Sequence, residues 1–186
     1  FKTAAFLIRG EAPYVQHKFG AKALEMMRAR QCEGSTGTKG RKKEPKDFDQ
    51  QYRDSMHRAV DGWYGMPASG FRNACVSACK LVGYHMTKAK LALFIPADGY
   101  DKDGTPLIKI TKGEPRKHEA PVRLETGVAD IRARGMWAPG WEASVRVRFD
   151  ADMFTVTDVA NLLMRVGMQV GVGEGRPDSK SSCGCG

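Results

Sequence analysis

The sequence predicts an α+β fold, a βαββαβ core with large insertions and a glycine-rich loop before the last strand. Residues 143–149 alternate strictly between apolar and polar side chains, which is typical of a strand with one buried face. Residues 157–166 carry apolar side chains at helical spacing. A segment with five glycines, 171–186, follows that helix. The remaining elements fit around these three.

The first half of the chain predicts one strand, one helix and a long insertion. Lys2–Arg9 is predicted as the first strand, and because both of its faces are largely apolar we expect it to be central and covered on both sides. A short helix is predicted over Gly20–Arg30. Residues 31–46 are rich in glycine and basic residues, which indicates a flexible loop. Residues 48–63 are mixed and charged, and we expect them to pack only loosely.

A helix is predicted directly after Pro67, with Ser69 as its N-cap and Gly83 as its end. Its apolar residues recur at helical spacing: Phe71, Ala74, Cys75, Ala78, Leu81 and Val82. Two strands, Leu91–Ile95 and Leu107–Thr111, are then expected to form a hairpin, because the residues between them favour turns.

The last third predicts a mostly irregular stretch, a strand and a helix. Residues 114–141 are predicted to be irregular apart from a strand near Val122. The exposed face of strand 143–149 carries Arg146 and Arg148. The final helix is predicted to begin at Thr157 as N-cap and to end at Gly167.

This order of elements is that of a ferredoxin-like core in a single domain spanning residues 1–186, whose last strand would follow Gly186. The core is predicted at 1–19, 66–112 and 142–186, and the insertions at 20–65 and 113–141. Sheets of this kind carry helices on one face and leave the other free to bind single-stranded nucleic acid.

Composition favours an acidic partner. The chain holds 30 Lys and Arg against 21 Asp and Glu, a net charge of +9, and nucleic acid is the commonest partner of so basic a protein. The alternative is that the charge serves solubility or a basic tail. The sequence contains neither an apolar run long enough to span a bilayer nor a signal-peptide pattern, so we expect no membrane partner. Five cysteines make no even disulfide framework, which favours a reducing, cytoplasmic compartment.

The glycine-rich segment has the composition of a phosphate-binding loop. Gly173 and Gly175 allow the backbone to approach a ligand closely, and its N–H groups can donate to an anion. Arg176, Ser179 and Lys180 are candidate phosphate ligands; the alternative is a mobile tail.

Other basic residues are candidate contacts to the nucleic-acid backbone. Arg72 lies in the first turn of its helix, where the dipole disfavours a cation, so it is either a ligand or part of a surface salt bridge. Arg146 and Arg148 either contact nucleic acid or form a solvated strand face. A basic run in the long insertion is expected to add sequence-independent affinity or to be simply disordered: Lys39, Arg41, Lys42 and Lys43.

Three segments together resemble the repeat-associated RNA-binding (RAMP) superfamily of CRISPR effector complexes, particularly its backbone-forming subunits. They are FKTAAFLIRGEAPYVQHKF, GMPASGFRNACVSACK and GVGEGRPDSKSSCGCG. On this match Ser69 and Arg72 hold the family's serine and basic positions, whereas Val76 stands where the family often has a second basic residue.

The resemblance implies an RRM-like fold that binds RNA along its backbone and polymerises along the strand, as in a ribonucleoprotein of antiviral defence. A guide RNA is one candidate for that RNA. The RNA groove would combine the glycine-rich loop with Arg72 and Asn73 on the first helix and with Arg146 and Arg148 on the sheet.

Catalysis, metals and cofactors have less support. Some relatives cut RNA without metal through a general base near the glycine-rich loop, and His17 is the best candidate for that role here. The cysteines lack zinc-site spacing and no P-loop motif occurs, so neither a metal nor a cofactor is predicted. Two alternatives to an RNA-binding module stay open: a metal-independent endoribonuclease and a single-stranded-DNA-binding recombination protein.

Overall fold

The computed structural model describes residues 1–33, 45–123, 127 and 129–179, and it shows a mixed α+β fold with antiparallel sheets. The strands are β1 (Lys2–Arg9), β2 (Tyr14–Gln16), β3 (Gly65–Pro67), β4 (Leu93–Phe94), β5 (Gly99–Tyr100), β6 (Pro106–Lys112), β7 (Pro115–Arg123), β8 (Ala129–Trp137) and β9 (Glu142–Phe149). The helices are α1 (Ala21–Glu33), α2 (Phe48–Asp54), α3 (Ala68–Ala78), α4 (Met86–Ala92) and α5 (Val156–Arg165).

The larger sheet is built around β9. Its strand order is β1-β9-β6-β3, with β4 paired to the far end of β9 and β5 paired to β6. The predicted alternation of β9 is confirmed: Ala143, Val145, Val147 and Phe149 are buried, while Ser144, Arg146 and Arg148 are exposed. The buried side chains join one core with apolar residues of α3 and α5, so this sheet has a helical side and an open side.

Two predictions about the larger sheet are wrong. β1 is not covered on both sides, because Ala4, Phe6 and Ile8 are half-buried and Leu7 on the other face is 71% exposed. Among the described strands it pairs only with β9. The expected hairpin does not form either, since residues 86–92 are helical, β4 pairs with β9, and the hairpin partner of β6 is β5.

Helix α3 packs against β4, β6 and α5, and Phe71, Ala74, Cys75 and Ala78 are buried as predicted. A short 3₁₀ turn, Cys79–Val82, extends it to Gly83, whose φ of +76° confirms the predicted end. Leu81 and Val82 lie in that turn and are exposed.

The N-cap prediction for α3 is wrong. Pro67 precedes the first helical residue and no side-chain capping bond forms, while Ser69 is exposed within the first turn. The helix begins at Ala68, directly after Pro67 at the end of β3, so Ser69 is its second residue and its hydroxyl lies outside the capping position.

A second sheet, with strand order β2-β8-β7, occupies the region that was predicted to be irregular. β7 and β8 pair over their full length, from Pro115 opposite Trp137 to Arg123 opposite Ala129. The stretch 48–63 packs closely against this sheet, contrary to the prediction: α2 contacts β8, and Gly135 has no room for a Cβ because Met56 Cγ would lie 2.3 Å from it.

The predicted helix over Gly20–Arg30 is confirmed as α1, which extends through Glu33. The basic run at Lys39–Lys43 lies outside the described residues. Helix α5 is confirmed on its buried face but both of its ends differ from the prediction. Thr155, not Thr157, is the N-cap, and it forms a capping box with Asp158.

The helical conformation does not end at Gly167, the predicted end of the last helix. The chain continues through one π turn, Val166–Val170, and changes direction at Gly171, whose φ is +74°. Residues 171–179 then form the described part of the glycine-rich segment, called the glycine loop below; residues 180–186 lie outside the described part of the chain.

Candidate functional site

A cleft of about 360 Å³ lies where β2, the start of α3 and the glycine loop meet. It is called the loop cleft, and its lining comprises residues 14–17, 57, 66–67, 70–71, 172–176 and 179. Chain segments far apart in sequence therefore meet at one concave surface, the usual setting of a ligand site.

Gly173 brings the glycine loop against β2. Its φ of +84° disfavours any residue with a Cβ, and a Cβ there would lie 2.7 Å from the Tyr14 ring and 2.8 Å from the Val15 carbonyl oxygen. The next amide, Glu174 N, donates a 2.9 Å hydrogen bond to the same Val15 oxygen. The glycine is thus required by the close approach of the loop to β2, and the predicted close approach to a ligand stays a prediction.

Arg176 and Ser179 lie at the cleft with the glycines. Arg176 is half-buried and its Nη1 donates to Gly173 O at 3.4 Å, while Ser179 N donates to Arg176 O at 3.0 Å. The structure therefore brings together four predicted ligands: Gly173, Gly175, Arg176 and Ser179. Lys180 lies outside the described residues.

The inner wall of the loop cleft is held by Gln16, which is 3% exposed. Its Nε2 donates to Gly65 O at 2.6 Å and to the Tyr14 hydroxyl at 3.1 Å, and its Oε1 accepts from His57 N at 2.8 Å. Because these bonds use both ends of the amide, Gln16 positions the backbone of His57 relative to β2.

His57 is oriented by a buried carboxylate. Its Nδ1 lies 3.0 Å from Asp101 Oδ2, and Lys18 Nζ lies 2.8 Å from the same oxygen. Burial alone would raise the pKa of Asp101, but the hydrogen bonds from Lys18 and His57 hold it below its ordinary value. Burial lowers the pKa of His57, so this imidazole is mainly neutral at pH 7. Nδ1 contacts Asp101, and Nε2 is the other ring nitrogen.

His17 is the second imidazole of the loop cleft. It is exposed, and its ring packs against Phe19 with centroids 5.3 Å apart. Desolvation, and after it the positive charge of Arg134, lower its pKa. The predicted position of His17 beside the glycine loop is therefore found, and its role as a base stays a prediction.

Behind His17 lies a buried ion pair. Arg134 is 5% exposed, and its Nη1 pairs with Glu174 Oε2 of the glycine loop. Its Nε and Nη2 are buried without a hydrogen-bond partner among the described residues. Sequence reasoning missed Arg134 because it lies in the region predicted to be irregular.

Arg72 has a different environment from the one predicted. Its Nε donates to Leu93 O at 3.0 Å, a second nitrogen donates to Lys90 O, and the guanidinium lies over the Phe94 ring. It therefore binds carbonyls at the end of α4, which explains a cation in the first turn of α3 without a ligand. Ser69 and Asn73 are exposed on α3 but do not line the loop cleft.

Arg146 and Arg148 lie on the open side of the larger sheet, away from the loop cleft. Arg146 donates to Ala97 O and Asp98 Oδ1, each at 2.9 Å, and Arg148 lies 5.4 Å from the centroid of the Phe1 ring. The structure thus does not join them to the glycine loop in one groove.

No protein-family model matches the chain, and no curated protein is significantly similar to it. None of the described helices is both long and apolar enough to cross a membrane. Within the described residues there is also no group of three or more His, Cys, Asp or Glu side chains that could hold a metal ion.

Proposed function

We propose that this protein binds single-stranded RNA along its phosphate backbone and that the loop cleft is the principal contact. The observation that carries the proposal is the glycine loop itself, which Gly173 sets directly against β2 and which presents Arg176 beside His17 and His57. The guanidinium of Arg176 at this close-packed turn is suited to phosphate oxygens, whereas the Glu174 and Ser179 amides donate within the protein. The net charge of +9 favours the same partner.

The order of strands supports the resemblance to CRISPR backbone subunits. β1 and β6 both pair antiparallel with β9, so they run in the same direction on either side of it. Helix α3 lies between them in the chain and α5 follows β9. This is the arrangement expected of a ferredoxin-like core up to its last strand. On this basis we also propose that copies of the protein assemble along the RNA, in a ribonucleoprotein of the cytoplasm.

Fluorescence anisotropy with labelled RNA tests the proposal. Arg176→Ala is expected to weaken binding severalfold and to reduce the slope of log K against log salt by about 0.7, the value for one phosphate contact on a single strand. Arg165→Ala is the matched control, because this arginine lies on the exposed side of α5 and bonds Gln169. If Arg176→Ala and Arg165→Ala weaken binding equally, the loop cleft is not part of the binding site. If the wild type does not bind RNA, the proposed function is refuted.

One observation favours a second candidate, a metal-independent endoribonuclease. His17 and His57 both line the loop cleft, and Asp101 orients one of them, an arrangement that serves proton transfer to and from a 2′-hydroxyl and a leaving oxygen. Incubation of labelled RNA with the protein in EDTA tests it. If the wild type cleaves RNA and both His17→Ala and His57→Ala lose that cleavage, the protein is an endoribonuclease and not only an RNA-binding protein.

A competition assay distinguishes binding to RNA from binding to single-stranded DNA. Single-stranded RNA and DNA of one sequence are mixed with the protein, and we expect RNA to be preferred because the 2′-hydroxyl adds a donor and an acceptor. A preference for DNA would favour a recombination-type protein over the RNA-binding proposal.

A further inference from the structure

The face of the second sheet that points away from α2 carries a set of basic residues that sequence reasoning did not single out. In the β7–β8 register His118 is opposite Arg134, Ala120 is opposite Arg132, and Arg116 is opposite Met136. Directly opposite residues share one face of a sheet. The basic row is defined as Arg116, His118, Arg132 and Arg134.

The other face of this sheet is the one that packs inward. Ala133 and Gly135 alternate with the basic row along β8, and they contact Gln51, Ser55 and Met56. On this face Arg116 is exposed, His118 and Arg132 are half-buried and Arg134 is buried, so Arg116 and Arg132 are the accessible arginines of the basic row.

The acidic groups near the basic row are few. Asp130, on the same strand, lies 3.9 Å from Arg132 and also pairs with Lys46. Glu174 pairs with Arg134. The described surroundings of the row thus contain more cations than anions, as a surface for an anionic polymer requires.

The basic row is continuous with the loop cleft. Val15 is opposite Met136 and Gln16 is opposite Gly135, so the same register continued by one residue brings His17 opposite Arg134. Arg132 and Arg134 are two residues apart on one strand, about 6.7 Å along its axis. That distance is close to the separation of successive phosphates in an extended single strand. A backbone leaving the loop cleft over β8 would therefore meet Arg132 one phosphate after Arg134, once Arg134 is released from Glu174.

Arg134 is incompletely satisfied at the junction between the two surfaces. Its Nε and Nη2 are buried without a hydrogen-bond partner in the described part of the chain, and Glu174 uses only Nη1. Buried donors without partners are costly, and phosphate has more acceptor oxygens than the one carboxylate oxygen that now pairs with Arg134. An incoming phosphate could thus replace Glu174 with a gain in hydrogen bonding.

We propose that the basic row is a second phosphate-binding track for the same RNA strand, entered from the loop cleft, and that Glu174 occupies Arg134 until a phosphate replaces it. This inference rests on the proposed function. It adds a path for the RNA across β8 and β7, and it assigns to Glu174 the role of opposing entry to that path.

The test compares two RNA lengths. Arg116→Ala/Arg132→Ala is expected to bind RNA of about 16 nucleotides roughly tenfold more weakly, with the salt slope reduced by about 1.4 for two lost contacts. RNA of about 4 nucleotides, short enough for the loop cleft alone, is expected to bind the double variant and the wild type equally. Lys80→Ala/Lys88→Ala removes the same charge from exposed positions outside both surfaces and serves as the control.

The outcomes separate the track from the proposed function. If Arg176→Ala weakens binding while the Arg116/Arg132 variant behaves as the control does, the track is wrong and the loop cleft stands. If the double variant loses affinity equally for both lengths, the row belongs to the loop cleft and the separate track is refuted. A wild type that binds neither RNA refutes both.

Arg134 is not substituted, because a buried residue can affect folding. Glu174→Gln is used instead, and it is expected to bind the RNA of about 16 nucleotides a few times more tightly because it removes the carboxylate that competes for Arg134, while the RNA of about 4 nucleotides binds about as it does to the wild type. Thermal melting of each variant verifies that it is folded. Binding by Glu174→Gln that is no tighter than that of the wild type would refute the displacement of Glu174.

Discussion

Replacing Gly173 with alanine is the sharpest test of how the glycine loop is placed. The φ of +84° alone costs an L-residue about 1–2 kcal/mol. The new methyl group would lie 2.7 Å from the Tyr14 ring, against an ordinary carbon–carbon contact of about 3.5–4.0 Å, so the loop has to move. That movement breaks the bond from Glu174 N to Val15 O, worth about 1 kcal/mol. We expect the free energy of unfolding to fall by about 2–3 kcal/mol.

Urea denaturation followed by tryptophan fluorescence measures this change. Tyr14 packs between Trp137 and Trp141, with ring centroids 5.6 and 5.5 Å away, so a shift of the loop against Tyr14 alters the signal of the folded state as well. Gly167→Ala is the matched control, because a Cβ there meets nothing within 4 Å. We expect it to leave stability unchanged or raise it by up to about 1 kcal/mol.

A Gly173→Ala protein as stable as the wild type would refute the reasoning. It would mean that the glycine loop does not lie against Tyr14 and Val15, and that the loop cleft has a different shape. A loss of stability equal in the two glycine variants would show that the effect is general to the segment and not due to the close approach at Gly173.

Three further predictions concern the scaffold around the site. Thr155→Ala should lower the free energy of unfolding by about 1 kcal/mol, because the capping box of α5 is lost. Asp101→Asn should lower it by about 3 kcal/mol at pH 7 and should reduce the loss of stability on acidification. Cys75 should resist a thiol reagent in the native protein, because burial raises its pKa to about 12, whereas exposed Cys32 should react.

The sign of the Asp101 prediction follows from its pKa, which is lower in the folded protein than in the unfolded chain. The stabilisation from the carboxylate is complete above the unfolded value of about 3.9 and is lost as pH falls through the lower folded value. Denaturation at pH 7 and at acid pH measures it. An unchanged difference between wild type and Asp101→Asn at the two pH values would contradict the assignment.

The other two predictions have equally direct checks. Thermal unfolding of Thr155→Ala that coincides with that of the wild type would show that the cap contributes nothing. Mapping of labelled peptides by mass spectrometry separates the cysteines, and labelling of Cys75 as fast as Cys32 would contradict its burial.

Apolar periodicity was enough to predict the core but not the second sheet. β9, α3 and α5 each bury one regular face against a common core, so their patterns are visible in the sequence. β7 contains Arg116, Lys117 and Glu119 with proline at two positions, a composition that argues against a strand. β7 is a strand because it pairs with β8 along its whole length, not because of its own composition.

The candidate site was predictable in part for the same reason. The glycine loop is contiguous in sequence, so its composition marks it. His57 and Asp101 are separated by 44 positions, and nothing local to either residue indicates that they meet. Arg72 illustrates the opposite error: its unusual place in a helix was noticed, but the carbonyls of Lys90 and Leu93 that explain it become visible only in the folded chain.

The π turn at Val166–Val170 has a consequence for how this chain tolerates insertions and deletions. A π turn accommodates one residue more than the α-helical spacing, and α5 ends in this turn immediately before Gly171. Deleting one residue there would let the turn return to α-helical spacing while the chain beyond it keeps nearly the same orientation, so Gly173 would still face Tyr14. The same deletion in the regular part of α5 would rotate everything beyond it by about 100° around the helix axis. Tolerance of a change in chain length is therefore concentrated in this turn.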